Sequence, residues 1–421
     1  MLSPPGNKPE EGILRIAFFS PLRPIRSGIS DYSEELLPHL AKEAEVTLFV
    51  DGYEPANPLI RRQLLIYDAG AFESLQRRQP FDICLYHMGN HPCHNYMYRL
   101  MQRYPGVVVV HDAVIHHFLR YLFVLRGDGE AYLAGFPEEI GASLARRLQH
   151  DVLTNVDYFF FPGIRGVVER NRGFLAHSEY TRQMILRFNP SALVRVVQHH
   201  WGPQLSPYAG LPAEEIKAKL GYDRDTFLVV SPGIITPARR IPTTLRVFRQ
   251  LVKRYPRARC AIVGHDHPEV RAMEWIHNLG LEGLADLTGF VDVPTFQSYI
   301  LAADVLINLR YPSAGETSGG LIRTLGMGKP ILISNFAQYA EFPDDCTFKV
   351  DLGENDEEMA LAYLKALARD PGLGRRVGEQ ARRYTQQFHA IERSARGYLD
   401  LIHAVLEQGE SGADGCTAQS L

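Results

Sequence analysis

Short apolar runs rich in branched residues recur along the chain, and each is followed by a stretch with helical spacing. Leu14–Ser20, Val46–Val50, Asp82–Tyr86, Gly106–Val110, Gly173–Ala176 and Val194–Gly202 read as strands of a first set, and Thr226–Gly233, Arg259–Val263, Leu287–Thr288, Ala303–Leu309 and Pro330–Ser334 as strands of a second. Continuous apolar runs of this length, without strict alternation, suit strands covered on both faces, as in a parallel sheet. Between them, Tyr32, Leu36, Leu37 and Leu40 mark a helix starting near Ser30–Asp31, and further helices are predicted from Pro242, through Leu321, Ile322 and Leu325, and over 356–368 and 372–388. A last helix carries Ile391, Ala395, Tyr398, Ile402 and Leu406 on one stripe. Strand and helix in alternation predict an α/β protein built on doubly wound parallel sheets. The stretch from Phe118 to Gly173 is the least legible, and its apolar run Phe118–Leu125 reads as a core helix rather than a lipid-surface helix.

Length makes this two domains. A chain of 421 residues can fill two cores of ordinary size, and the Pro- and Gly-bearing stretch from Pro203 to Leu211 is the expected linker. Residues 1–12 and 409–421 are small and polar and are expected to be a disordered leader and tail. Lys plus Arg (45) less Asp plus Glu (48) leaves a net charge of −3, which argues against nucleic acid as a partner. The cysteines, Cys84, Cys93, Cys260, Cys346 and Cys416, have no close spacing and read as reduced thiols of a cytoplasmic protein. No apolar run approaches the roughly 20 residues that a spanning helix needs, so peripheral contact is the most a membrane would receive.

Candidate chemistry concentrates at the ends of the predicted strands, where open parallel sheets bind ligands. Leu309–Pro330 reads LRYPSAGETSGGLIRTLGMGKP: a buried strand ends and a loop supplies Glu316, Thr317, Ser318, Gly319 and Gly320, with Ser318 as the N-cap of the next helix. A helix N-terminus reached through hydroxyls and glycines presents N–H groups to a phosphate, although the same residues also make an ordinary connection. After the first strand a loop with Gly28 leads into Asp31 and Tyr32; one glycine without G-x-G-x-x-G is no dinucleotide fingerprint. His87, His91, His94, His111, His116 and His117 crowd the ends of two further strands beside Asn90, without any established metal-ligand spacing. Arg239 and Arg240 follow the strand Thr226–Gly233, where they are either a solvated surface or a fixed pair of cations. Asp223–Arg224–Asp225 precedes that strand, on the wrong side for a metal site, and reads as a turn.

The stretch Leu309–Pro330 resembles the donor-binding signature of retaining glycosyltransferases of the two-domain GT-B fold, family four in particular, in which a Glu-x7-Glu pattern leads into a helix and ends at Gly-Lys-Pro. Glu316 stands at the first Glu and Gly328–Lys329–Pro330 closes the pattern, but the second Glu is replaced by Arg323 or Thr324, depending on the end from which one counts. Motifs in the same order run over roughly residues 13 to 406. The resemblance implies an acceptor domain over 13–203 and a donor domain over 204–388, Rossmann-like and facing each other across a cleft, with the helix 389–406 packing back on the first. It implies that Glu316 holds a sugar hydroxyl, that Arg239, Arg240, Thr317, Ser318, Gly319 and Gly320 meet the diphosphate, and that the loop of Gly28 lines the acceptor and the donor phosphates. Phe290 and Val291 would meet the base, and Arg323 would replace the ribose carboxylate. His111 would face the reacting carbon, while Asp31, Tyr32, Asn90 and His94 would hold a glycan, lipid-linked or small-molecule acceptor. No metal and no cofactor beyond the nucleotide-diphosphate sugar is implied, so Arg239 and the N–H dipoles must carry the leaving-group charge. An epimerase or phosphorylase of the same layout, and a non-catalytic sugar-nucleotide-binding subunit, are the competing readings.

Overall fold

The computed structural model describes residues 12–136, 138–149 and 155–417. They form two compact units, the first made of the chain to His177, Thr181–Val197 and the chain from Ile391, the second of Ser178–Tyr180 and Gln198–Ala390.

The first unit is a parallel sheet of seven strands, β1 (Arg15–Phe19), β2 (Glu45–Val50), β3 (Leu65–Asp68), β4 (Ile83–Met88), β5 (Val107–Val110), β6 (Gly173–Ala176) and β7 (Val194–Val196), in the order β3-β2-β1-β4-β5-β6-β7. Register pairs Phe19 with Phe49 on one side of β1 and with Tyr86 on the other, and the three rings stack into the core. Both sheet faces are covered, which is why the central strands read as unbroken apolar runs. The edge strand β3 escapes sequence reading because its residues are mostly exposed. The first helix, Gly28–Leu40, starts earlier than the spacing predicts, because the Ser27 side chain caps it by accepting the Ile29 N–H. Phe118, Leu119 and Leu122 of the helix His116–Leu122 are core, whereas Tyr121 and Leu125 are exposed.

The second unit is a parallel sheet of six strands, β8 (Phe227–Pro232), β9 (Ala258–Val263), β10 (Ala285–Leu287), β11 (Val305–Asn308), β12 (Ile331–Ser334) and β13 (Phe348–Val350), in the order β10-β9-β8-β11-β12-β13. In each unit the strand order reverses at the centre, between β1 and β4 and between β8 and β11. At these points the connections on either side diverge and leave a crevice above the carboxyl ends of the strands.

Two expected boundaries move. Residues 198–203 belong to the second unit, because Trp201 donates its N–H to His389 O at 3.1 Å and packs its ring on Gly326, where a Cβ would lie 2.6 Å from Cε3. The final helix runs Ile391–Thr417, so residues 409–417, expected as a tail, continue it; a helix seeded by packing adds a hydrogen bond with each residue. Its Tyr398, Leu399, Ile402 and Val405 are core residues of the first unit. The leader residues 1–11 and the last residues 418–421 lie outside the described chain.

Close backbone approaches fix some of this packing. A Cβ on Gly378, in the helix Pro371–Phe388, would lie 2.0 Å from the carbonyl oxygen of Gly328. Gly378→Ala is therefore expected to cost about 2 kcal/mol in chemical denaturation, since two backbones and no flexible side chain must move. Gly28→Ala, at a position with nothing within 4 Å, should stay within about 0.5 kcal/mol of the parent.

Candidate functional site

In the second unit, the loops after β8 and β11 meet at the centre of the sheet. Tyr311 N–H donates to Ala238 O at 2.8 Å and ties one loop to the other. Asn308 ends β11 and Arg310 follows, its backbone N–H held by Ser334 Oγ at 2.9 Å. The Arg310 guanidinium then reaches Glu316 Oε1 at 2.6 Å. The other carboxylate oxygen of Glu316 accepts the Ala314 N–H at 2.9 Å, while its backbone carbonyl accepts from Gln338 Nε2 at 2.6 Å and from the Tyr339 hydroxyl at 3.1 Å. Glu316 is thus held at both ends, in a partly buried position beside a cation. The fixed geometry suits a carboxylate whose work is to orient a hydroxyl.

Thr317 and Ser318 lead directly from Glu316 into the helix Gly319–Gly326. Ser318 caps it by accepting the Leu321 N–H at 3.3 Å. The first N–H groups of a helix, here those of Gly319 and Gly320, have no partner inside it, and they add a partial positive charge to the loop. His199 stands next to them: a Cβ on Gly319 would lie 3.8 Å from its Nε2. Arg323 and Thr324, on the same helix, are both buried; they are the two positions at which the second carboxylate of the expected signature would fall.

The arginine pair does not have the placement expected from sequence. Arg239 is 2 % exposed, and its guanidinium donates to Pro232 O at 2.6 Å and Ser231 Oγ at 3.1 Å. Burial, followed by repulsion from Arg310, lowers its pKa. It lies under the loop, as a fixed charge that also feels Glu316 and Tyr339. Gly233, at φ +113°, makes room for it, since a Cβ there would lie 2.6 Å from the Arg239 Nη1. Arg240 adopts a left-handed conformation at φ 51° and pairs with Asp356, so it tethers a helix and is not turned toward the loop. The cation that stands in contact with Glu316 is Arg310, which the sequence marked only as the end of a strand. A charged residue placed directly after a central buried strand was the available signal.

Phe290 is exposed and Val291 packs on the core beside it, in a loop joined to the β9 exit by a bridge between Gly264 and Gly289. Asp223 closes a turn by accepting the Thr226 N–H, and Asp225 pairs with Arg257, as a surface turn would.

In the first unit the equivalent crevice lies above β1 and β4. Gly28 borders it with open space around its Cα. Across from it, the loop after β4 packs so closely that a Cβ on Gly89 would lie 2.5 Å from Ile29 Cδ1 and 3.0 Å from both Asp112 Oδ2 and His94 Nε2. Asn90 is fully engaged: its N–H donates to Asp112 at 2.7 Å, its Oδ1 accepts the Phe118 N–H at 2.9 Å, and its Nδ2 lies 3.2 Å from His117 Nδ1. His111 follows β5, is buried, and contacts His87 at 3.0 Å. Tyr32 is not available as a surface contact, because it is buried with its hydroxyl 2.9 Å from that of Tyr398. Asp31, one residue before it, is half-buried and lies 3.9 Å from the Arg23 guanidinium. His94 is completely buried and therefore belongs to the wall of this crevice more than to its mouth. Among the described residues, no three His, Cys, Asp or Glu side chains converge as the ligands of a metal would.

Comparison with known proteins adds four findings. Residues 212–384, nearly all of the second unit, match the family model of glycosyl transferases group 1. The alpha-monoglucosyldiacylglycerol synthase of Acholeplasma laidlawii is 25% identical over 203 residues, 47% of this chain; the match spans about half of that relative, 49% of its length. HepE of Anabaena, solved in complex with UDP, superposes at a TM-score of 0.65 with 14% identity, over 93% of this chain and 100% of that one. The sucrose-phosphate synthase of Thermosynechococcus elongatus does so at 0.67 with 15% identity, over 94% and 100%. The fold is therefore the two-domain GT-B fold of glycosyltransferases. No helix among the described residues is long and apolar enough to cross a membrane.

Burial of His94 has a measurable consequence. Loss of solvation, and then the nearby charge of His91, push its pKa from 6.5 down to about 3. The unfolded chain therefore binds one more proton than the folded chain between those values, and stability falls as pH drops through that window. His94→Gln should flatten the slope of unfolding free energy against pH between about 6 and 4, as read by urea denaturation at a series of pH values.

Proposed function

We propose that this chain is a retaining glycosyltransferase that takes a sugar from a nucleotide-diphosphate donor without a metal ion. The observation that carries the proposal is the Arg310–Glu316 pair at the switch point of the second sheet, followed at once by a capped helix N-terminus. A carboxylate that can orient a sugar hydroxyl and an N–H array that can receive a diphosphate are here within one loop. The match of residues 212–384 to group 1 glycosyl transferases supports this reading. UDP in the Anabaena neighbour makes uridine diphosphate sugars the first donors to test.

In this mechanism the bond between the anomeric carbon and the donor phosphate breaks while the acceptor oxygen bonds to the same face of that carbon. The acceptor proton passes to the departing phosphate. Negative charge grows on the leaving diphosphate and meets the N–H groups of Gly319 and Gly320, the hydroxyls of Thr317 and Ser318, and the buried charge of Arg239 behind them. Phe290 and Val291 lie beside the base, and Arg323 makes a phosphate or base contact in place of the ribose carboxylate. Gly28, Asp31 and the Asn90 loop of the first unit serve the acceptor, and His111 contributes a hydrogen-bonding group at the sugar. Because the Acholeplasma relative is by name a glycolipid synthase, lipid-linked hydroxyls are the acceptor class to try before free glycans and small molecules. A cytoplasmic protein with at most peripheral membrane contact is the location that accords with this reading.

The test combines labelled UDP-, GDP- and ADP-sugars with an acceptor panel and follows acceptor-dependent release of nucleoside diphosphate. Glu316→Gln should lower kcat by about two orders of magnitude or more while the melting curve stays cooperative. Full transfer by that variant would remove Glu316 from the mechanism, and release of diphosphate with no acceptor dependence would exclude a transferase.

A further inference from the structure

A line of buried polar groups runs beneath the crevice of the first unit, and its protons can be counted. Ser20 Oγ donates to Pro21 O at 3.0 Å, a carbonyl that can only accept. The single hydroxyl proton of Ser20 is then committed, so at its 2.7 Å contact with Ser33 Oγ it must accept. Ser33 thereby gives its own proton to Ser20, and at its 3.4 Å contact with His87 Nδ1 it too must accept. His87 Nδ1 therefore carries a hydrogen. That same nitrogen lies 3.0 Å from His111 Nε2, which has to receive the hydrogen through its lone pair. In the opposite direction His87 Nδ1 would be bare, and with the Ser33 proton already in use it would face the Ser33 oxygen lone pair to lone pair.

From this we infer that His87 is a positioning residue, which holds His111 as the neutral tautomer with its proton on Nδ1. The inference rests on the reading of His111 as a group that meets the sugar. The surroundings favour the neutral form. Ser20, Ser33 and His87 are essentially inaccessible, the Tyr398 ring stacks on His87 at 5.8 Å and 16°, Phe18 lies against it at 4.6 Å, and Tyr32 meets His111 edge-on at 5.0 Å. An imidazolium would lose its hydration there. It would also set two N–H groups against each other across the His87–His111 contact. His111 so held donates a hydrogen bond but cannot take a proton without breaking its bond to His87. Its task in the reaction is then to orient, and the acceptor proton goes elsewhere, in accord with transfer to the departing phosphate.

The tautomer can be read without a substrate, by nitrogen-15 NMR of histidine-labelled protein with the His111 signals assigned through His111→Gln. The wild type is expected to show a protonated Nδ1 and a bare Nε2 at His111. His87→Leu removes the donor and should move the proton to Nε2, the site that free imidazole side chains favour, whereas His87→Asn keeps an N–H near the place of Nδ1 and should retain the wild-type pattern. A protonated Nε2 in the wild type, or an unchanged His111 in His87→Leu, overturns the inference. If His87→Leu does not fold, Ser33→Ala answers the same question: freeing the His87 proton should populate both His111 tautomers, and a spectrum identical to that of the wild type overturns the relay. In the transfer assay His87→Leu should lose about tenfold in kcat at unchanged donor KM, with His87→Asn within about threefold of the wild type. Transfer absent from all forms, with the expected tautomers present, faults the reading of the reaction and leaves the relay standing.

Discussion

All strands of a parallel sheet enter from one edge, and that constraint governs the rest of this molecule. The carboxyl ends of β8 and β11 emerge side by side at the point where the strand order reverses, and no helix can lie directly above them. Whatever polar chemistry the second unit carries is therefore gathered there from segments far apart in sequence. Ser231, Pro232, Arg239, Arg310, Glu316 and Tyr339 are linked by short hydrogen bonds or by charge, although they come from three different strand exits.

Within that gathering, burial separates charges that are sealed in the fold from charges that keep some exposure. Arg239 is sealed beneath the loop and bonded to a carbonyl and a hydroxyl, so that its work is to hold the loop and to bias its electrostatics. Arg240 is matched by Asp356. Arg310 and Glu316 are left in contact with each other while keeping some exposure, at 13% and 21% of their side chains. A pair in such a position is only modestly stabilising, and each partner fixes the position of the other. The helix N-terminus beyond it completes an arrangement suited to a neutral hydroxyl on one side and a diphosphate on the other.

The first unit solves a different problem with the same geometry. Its crevice is walled by imidazoles and phenols, with Tyr398 brought in from a helix near the end of the chain. In a dry, aromatic enclosure histidines are driven toward neutrality, and hydrogen-bond direction becomes the property that the structure can set. The serines at 20 and 33, unremarkable as sequence, set it because the Pro21 carbonyl has no proton to offer.

Read alone, the chain determined the alternation of strand and helix, the two sets of strands, and the stretch around Glu316, since apolar run length, turn residues and a capping serine are local properties. The edge strands β3 and β13 escaped it, being short and only partly buried. So did the extension of the last helix to Thr417 and the assignment of Gln198–Pro203 to the second unit, which depend on packing partners distant in sequence. The site divided along the same line. Residue types at strand ends marked Glu316, Ser318, His111 and Gly28 as candidates, but only the tertiary structure showed that Arg239 and Tyr32 are buried, that Arg310 is the partner of Glu316, and that His87 lies behind His111. Which of two adjacent arginines is sealed, and which atom of a histidine holds the proton, are set by neighbours that the fold alone supplies.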